Sequence, residues 1–204
     1  GEQWMKQAAL KKLALGVATA MILVGHGAFA DEVEDSISEA LDAYKSGEFK
    51  DAVESLNYAS QLIQQMKGES LQSVLPEPLG GWKAEDAQSS AAGASMLGGG
   101  VSAERVYRKG SSRVSITIIT DSPMIQGMMM MFSNPMFASS DGGKLTRIKR
   151  QKAMVKYKPA EKDGEIQVMV DNRIMVTIDG DNVSEDELMG YAKAIDVKKL
   201  EENF

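Results

Sequence analysis

Nucleophilic and general acid-base catalysis rely most often on Cys and His, and this 204-residue chain has no Cys and a single His, His26. His26 falls in a stretch expected to be cleaved off. That excludes Ser-His and Cys-His nucleophiles, His or Cys metal sites and disulfides from the processed chain. A Ser-Lys pair would remain, but no Ser-x-x-Lys stands at a strand-to-helix turn. The acidic run Asp179 to Glu187 lacks the Asp-x-Asp-x-Asp-Gly spacing of a calcium loop and reads as an Asx turn entering a capped helix. Paired carboxylates for glycoside hydrolysis leave no sequential signature, because their spacing is spatial, and nothing positive points to them. The chain is expected to be non-enzymatic, with no cofactor.

Soft chemistry is better represented. Residues 122–137 carry six of the fourteen Met. Ser122 and Pro123 can open a helix that must stop before Pro135. At 100° per residue Met124, Met128 and Met131 form one stripe and Ile125, Met129 and Phe132 an adjoining one, an apolar arc of about 160°, with Gln126, Met130 and Ser133 turned away. Three readings stay open: core packing by adaptable thioethers, an apolar contact surface for a protein partner or apolar ligand, and Cu(I) held by Met124, Met128 and Met131. The contact reading, through Met124, Ile125, Met128, Met129, Met131 and Phe132, is the functional expectation.

A second feature is electrostatic. Lys144, Arg147, Lys149, Arg150, Lys152, Lys156 and Lys158 occupy residues 144–158 without one acid, in a chain of net charge −6. They suit an edge protected against strand pairing, or a docking patch for an anionic partner such as a membrane surface or the acidic helices of a second copy. The overall acidity argues against nucleic acid as a partner.

The elements that position these residues follow from periodicity. Val33, Ile37, Ala40, Leu41 and Tyr44, then Ala52, Val53, Leu56, Ala59, Ile63 and Met66, recur at helical steps and predict two helices, over 33–45 and 50–66, around Gly47. The segment Leu75-Pro76-Glu77-Pro78-Leu79-Gly80-Gly81-Trp82 reads as a connector ending in an aromatic anchor, and the Ala, Ser and Gly of 87–103 as a loop. Alternation predicts strands at 104–109, 112–120, 144–150, 152–158, 165–171 and 173–179, with hairpins about Gly110-Ser111 and Asp171-Asn172. Ser184 with Glu187 forms a capping box ahead of Leu188, Tyr191, Ala192 and Ile195. The fold class is α+β: an N-terminal helical hairpin, then an antiparallel sheet of about six strands with an inserted Met-rich helix and a C-terminal helix.

Ala40, Gly47, Phe49, Ala52, Leu56 and Ala59 fall where a tetratricopeptide unit places its small and apolar packing residues, so residues 40–59 resemble one such helical hairpin. No second copy follows, and a stacked array needs about three. The hairpin must therefore rest on the following domain, on a partner, or on another copy, and docking on its own domain is expected. The remainder, from the Leu-Pro-x-Pro-Leu-x-Gly-Trp entry to the acid-capped last helix, is similar to small exported PsbP/Mog1-type folds.

Met5, Lys6, Lys11 and Lys12, an apolar run from Leu13 to Val24 and Ala28-Phe29-Ala30 have the layout of a secretory signal peptide cleaved after Ala30. The apolar run is shorter than the roughly 20 residues a spanning helix needs. The expected organisation is residues 1–30 upstream segment and signal, 31–75 helical hairpin, and 76–204 α+β domain. The expected location is the periplasm, in soluble form, and self-association through the hairpin is a further possibility.

Overall fold

The computed structural model describes residues 25–90, 100–133 and 142–204. The signal segment up to residue 24, the Gly-rich run 91–99 and residues 134–141 lie outside the described residues. Two compact units divide the chain, Gly1–Ile63 and Gln64–Phe204. In the first, α1 (Gly25–Ser46) and the leading part of α2 (Phe49–Gln72) form the expected hairpin, and both helices run longer than their apolar periodicity predicts. Gly47 stops α1 by taking φ +81, which frees its N–H and that of Glu48 to reach back to the carbonyls of Tyr44 and Ala43 at 3.1 and 2.9 Å. The division falls inside α2 and not at the Pro-rich connector. The cause is local: Leu71, Val74 and Leu75, at and after the end of α2, belong to the core of the second unit.

That unit is built on one antiparallel sheet. Its strands are β1 (Lys83–Ala84), β2 (Gln88–Ser90), β3 (Val101–Lys109), β4 (Ser112–Thr120), β5 (Lys144–Ile148), β6 (Gln151–Lys158), β7 (Asp163–Val170) and β8 (Ile174–Asp181), in the order β1-β3-β4-β8-β7-β6-β5, with β2 also on β3. The six long strands are those expected, and β1 and β2 are additional. The helix α3 (Pro123–Ser133) follows β4 on the way to β5, while α4 (Glu185–Ala194) and the unforeseen α5 (Val197–Asn203) end the chain.

Period-two alternation sorts the two faces. Val114, Ile116 and Ile118 of β4 pair in register with Gly180, Ile178 and Val176 of β8, which in turn face Gly164, Ile166 and Val168 of β7. This face packs against α4 and α5 through Leu188, Tyr191, Ala192 and Leu200. Gly164 is required there, since a Cβ would stand 2.9 Å from the Lys156 carbonyl oxygen and 3.1 Å from Leu188 Cδ2. An aromatic group locks the connector to the same core: Tyr107 and Tyr191 meet at a 42° tilt with ring centroids 4.6 Å apart, Trp82 meets Tyr191 edge-on at 5.4 Å, and the Tyr107 hydroxyl donates to the Pro76 carbonyl at 2.7 Å.

The capping box of α4 forms as the sequence predicts, with the Ser184 side chain accepting from the Glu187 N–H and Glu187 accepting from the Ser184 N–H. Glu187 also takes a charge-assisted hydrogen bond from Lys109 at the end of β3, and that bond, with the Ser184 backbone N–H, pulls its carboxyl down to about 2. A depressed carboxylate contributes stability that is fully present above the ordinary pKa of 4.5 and disappears as pH falls to about 2. Glu187→Gln is therefore expected to lower the melting temperature at pH 7, with the gap from the parent closing between pH 4.5 and 2. A gap that stays constant through that range in calorimetry would refute the assignment.

Candidate functional site

The Met-rich segment folds as the predicted helix. Ser122 caps α3, its Oγ accepting from the Met124 N–H at 3.3 Å, and Gln126, Met130 and Ser133 point outward as expected. The arc divides. Ile125 and Phe132 are 3% and 6% exposed, forming a second core with Met154, Met169 and Met175, around which Met128, Met129, Ile119 and Leu145 are partly covered. Met124 remains 49% exposed and Met130 72%. The Met131 side chain lies outside the described residues. Two residues assigned to ligand contact by the sequence are thus core, and α3 covers one end of the second sheet face.

The buried thioethers among the described residues are different from the expected stripe. Met169 and Met175 sit directly opposite each other on β7 and β8, with Met154 one diagonal away on β6. The sequence could not group Met154 with them, because it depends on strand register. Among the described residues, no cluster of three or more His, Cys, Asp or Glu is placed to hold a metal ion. If α3 is a structural cover, Phe132→Ala should cost about 3 kcal/mol in chemical denaturation, whereas Met130→Ala should change stability by less than about 0.5 kcal/mol. Equal effects of the two would contradict the orientation of the helix.

The basic stretch occupies the edge hairpin. Arg147 and Lys152 are direct cross-strand neighbours, Lys156 faces Glu165 and Lys158 faces Asp163. Lys144, Arg147, Arg150, Lys152 and Lys158 are exposed. Lys149 serves the fold, because its ammonium donates to the Ile195 carbonyl at 2.7 Å, at the end of α4, where a cation is favoured. Lys149 and Arg150 form the hairpin turn at φ +47 and +71, a conformation that ordinarily selects Asn or Gly. The seven side chains therefore spread over a turn, a strand edge and the second sheet face.

The uncovered part of that face holds a hollow of about 360 Å³ lined by Arg113, Lys156, Lys158, Asp163, Glu165, Asp179 and Asp181. Burial raises the Asp179 carboxyl above the usual range, and Glu165 directly across the ladder adds to the shift. Lys156 and Lys158 on β6 and Arg113 on β4 flank the adjacent carboxylates of β7 and β8, a charged lining that suits a solvated face.

The first unit contains a different kind of surface. Its buried side chains are mostly small, Ala40, Ala52 and Ala59 with Leu62 as the large exception, and Ser36 joins the helices through its hydroxyl, which donates to the Ser55 carbonyl at 2.8 Å. Small residues at such positions leave the bulky ones beside them outside the contact. Ile37, Leu41, Tyr44, Phe49, Val53 and Leu56 are 46–64% exposed and, with Ala40 and Ala52, line an apolar groove of about 490 Å³. Tyr44 and Phe49 mark one end, their ring centroids 6.0 Å apart. The sequence identified every one of these apolar positions except Phe49 from periodicity, and Phe49 from its tetratricopeptide-like placement. Within the hairpin, the choice of Ala and Ser at buried positions is what leaves the stripe outside the helix-helix contact.

No known protein family, curated protein or solved structure matches the chain. Among the described residues, no helix is long and apolar enough to cross a membrane.

Proposed function

We propose that this is an exported, non-enzymatic binding or adaptor protein that engages a protein partner through the groove between α1 and α2. The observation that carries this reading is the row of six large apolar side chains at the groove, each exposed by nearly half or more. Single exposed apolar residues need no explanation, but a contiguous apolar patch in a concave setting marks an interaction site. The single-repeat likeness to tetratricopeptide hairpins supports the same reading, because one such hairpin has no neighbouring repeat on which to bury its stripe. Export through residues 5–30 belongs to this proposal, and places the partner in the periplasm. The Met-rich helix carries less of it, since Ile125 and Phe132 are already committed to a core.

The reading predicts a separation of binding from stability. Leu41→Gln with Val53→Gln keeps helix propensity while removing apolar surface already in contact with water, so the melting temperature should hardly change. Fluorescence enhancement of bis-ANS by the full chain should fall severalfold in the double variant. A marked loss of stability with undiminished dye binding would mean that these side chains are packed and would reject the groove as the site.

A further inference from the structure

We infer that the groove takes an amphipathic α-helix with basic flanks, an inference that rests on the proposed binding role and specifies its partner. The helical form follows from what the groove lacks. Of its lining side chains only Tyr44 bears a polar atom, and the lining residues, apart from Phe49 at the start of α2, lie in helices whose own backbone bonds occupy their N–H and C=O groups. A strand laid in the groove would leave its backbone groups unpaired against apolar surface. A helix satisfies its backbone internally and presents only an apolar stripe. It would also continue the packing of α1 on α2 as a third helix of the same kind.

The charge of the partner follows from the acids of the two helices that form the groove. Residues 31–54 carry nine Asp or Glu against two Lys. Both Lys stand beside acids of their own helix, Lys45 at 3.7 Å from Asp42 and Lys50 at 3.5 Å from Glu54. The field around the groove is therefore strongly negative, which speeds encounter with a cationic segment and opposes an anionic one. It also opposes the face-to-face pairing of two copies of this hairpin.

The test uses the full chain and three lactam-constrained amphipathic helices with one Leu face and, on the other, Lys, Glu or Gln. Binding is read by fluorescence anisotropy at low and physiological salt. The Lys helix should bind roughly tenfold more tightly than the Glu helix at low salt, with the Gln helix between them, and the difference should shrink as salt is raised. Reversing Glu34, Glu39 and Glu48 to Lys should remove the preference for the Lys helix while circular dichroism stays unchanged. Leu41→Gln with Val53→Gln should abolish binding of all three. Equal binding of the three helices would overturn the charge assignment while leaving the groove as a binding site. Failure of all three to bind would overturn both the inference and the reading it rests on. A concentration-dependent dimer, seen without peptide in sedimentation and lost in the Leu41 and Val53 double variant, would assign the groove to a second copy and overturn the inference.

Discussion

Alternation along β4, β7 and β8 puts Ile116, Ile166, Ile178 and their neighbours on one side of the sheet, and the need to remove that side from water organises the second unit. The helix α4 can descend onto it because Gly164 and Gly180 are paired beneath Leu188, where larger residues would hold the helix away. Its start is fixed by the capping box and tied to β3 through Lys109, and its end is held by Lys149 from the opposite edge of the sheet. The connector is drawn in by Tyr107 and Tyr191. Each of these contacts is small beside the burial they allow.

The same requirement explains the methionines. The second sheet face is apolar toward one end, where Met169, Met175 and Met154 stand, and α3 covers that end with Ile125 and Phe132. Thioethers fill an irregular space between a helix containing Gly127 and a twisted sheet more readily than branched side chains do. The other end of this face carries the charged side chains around Asp179 and stays open to water. The helical hairpin is the exception to the pattern. Ala and Ser fill most of its buried positions, so among the described residues Ile37, Leu41, Tyr44, Phe49, Val53 and Leu56 stay exposed, and that imbalance is the physical basis for assigning it a partner.

Local features of the sequence were legible. The Ser184 and Glu187 box, the hairpin turn at Gly110-Ser111, the six long strands and the outward position of Met130 all follow from spacing within a few residues. What depended on register or on distant neighbours was not. The union of Met154 with Met169, the pairing of Gly164 with Gly180 and the bond from Lys149 to Ile195 join positions far apart in the chain. The connector shows the same limit: Pro and Gly in residues 75–82 look like a linker, yet Leu75 and Trp82 are core. Periodicity also counts a buried Ala and an exposed Leu alike as apolar, so it detected the stripe on α1 and α2 without showing which part of it packs.

The apolar groove of the hairpin, and not the Met-rich helix, is the surface assigned to the partner. Methyl-resolved NMR of the full chain, labelled at Ile, Leu, Val and Met and titrated with a cationic amphipathic helix, tests that assignment most directly. Shifts are predicted at Ile37, Leu41, Val53 and Leu56, with the methyls of Met124 and Met130 unmoved. Shifts confined to Met124 and Met130, or no shifts at all, would contradict it.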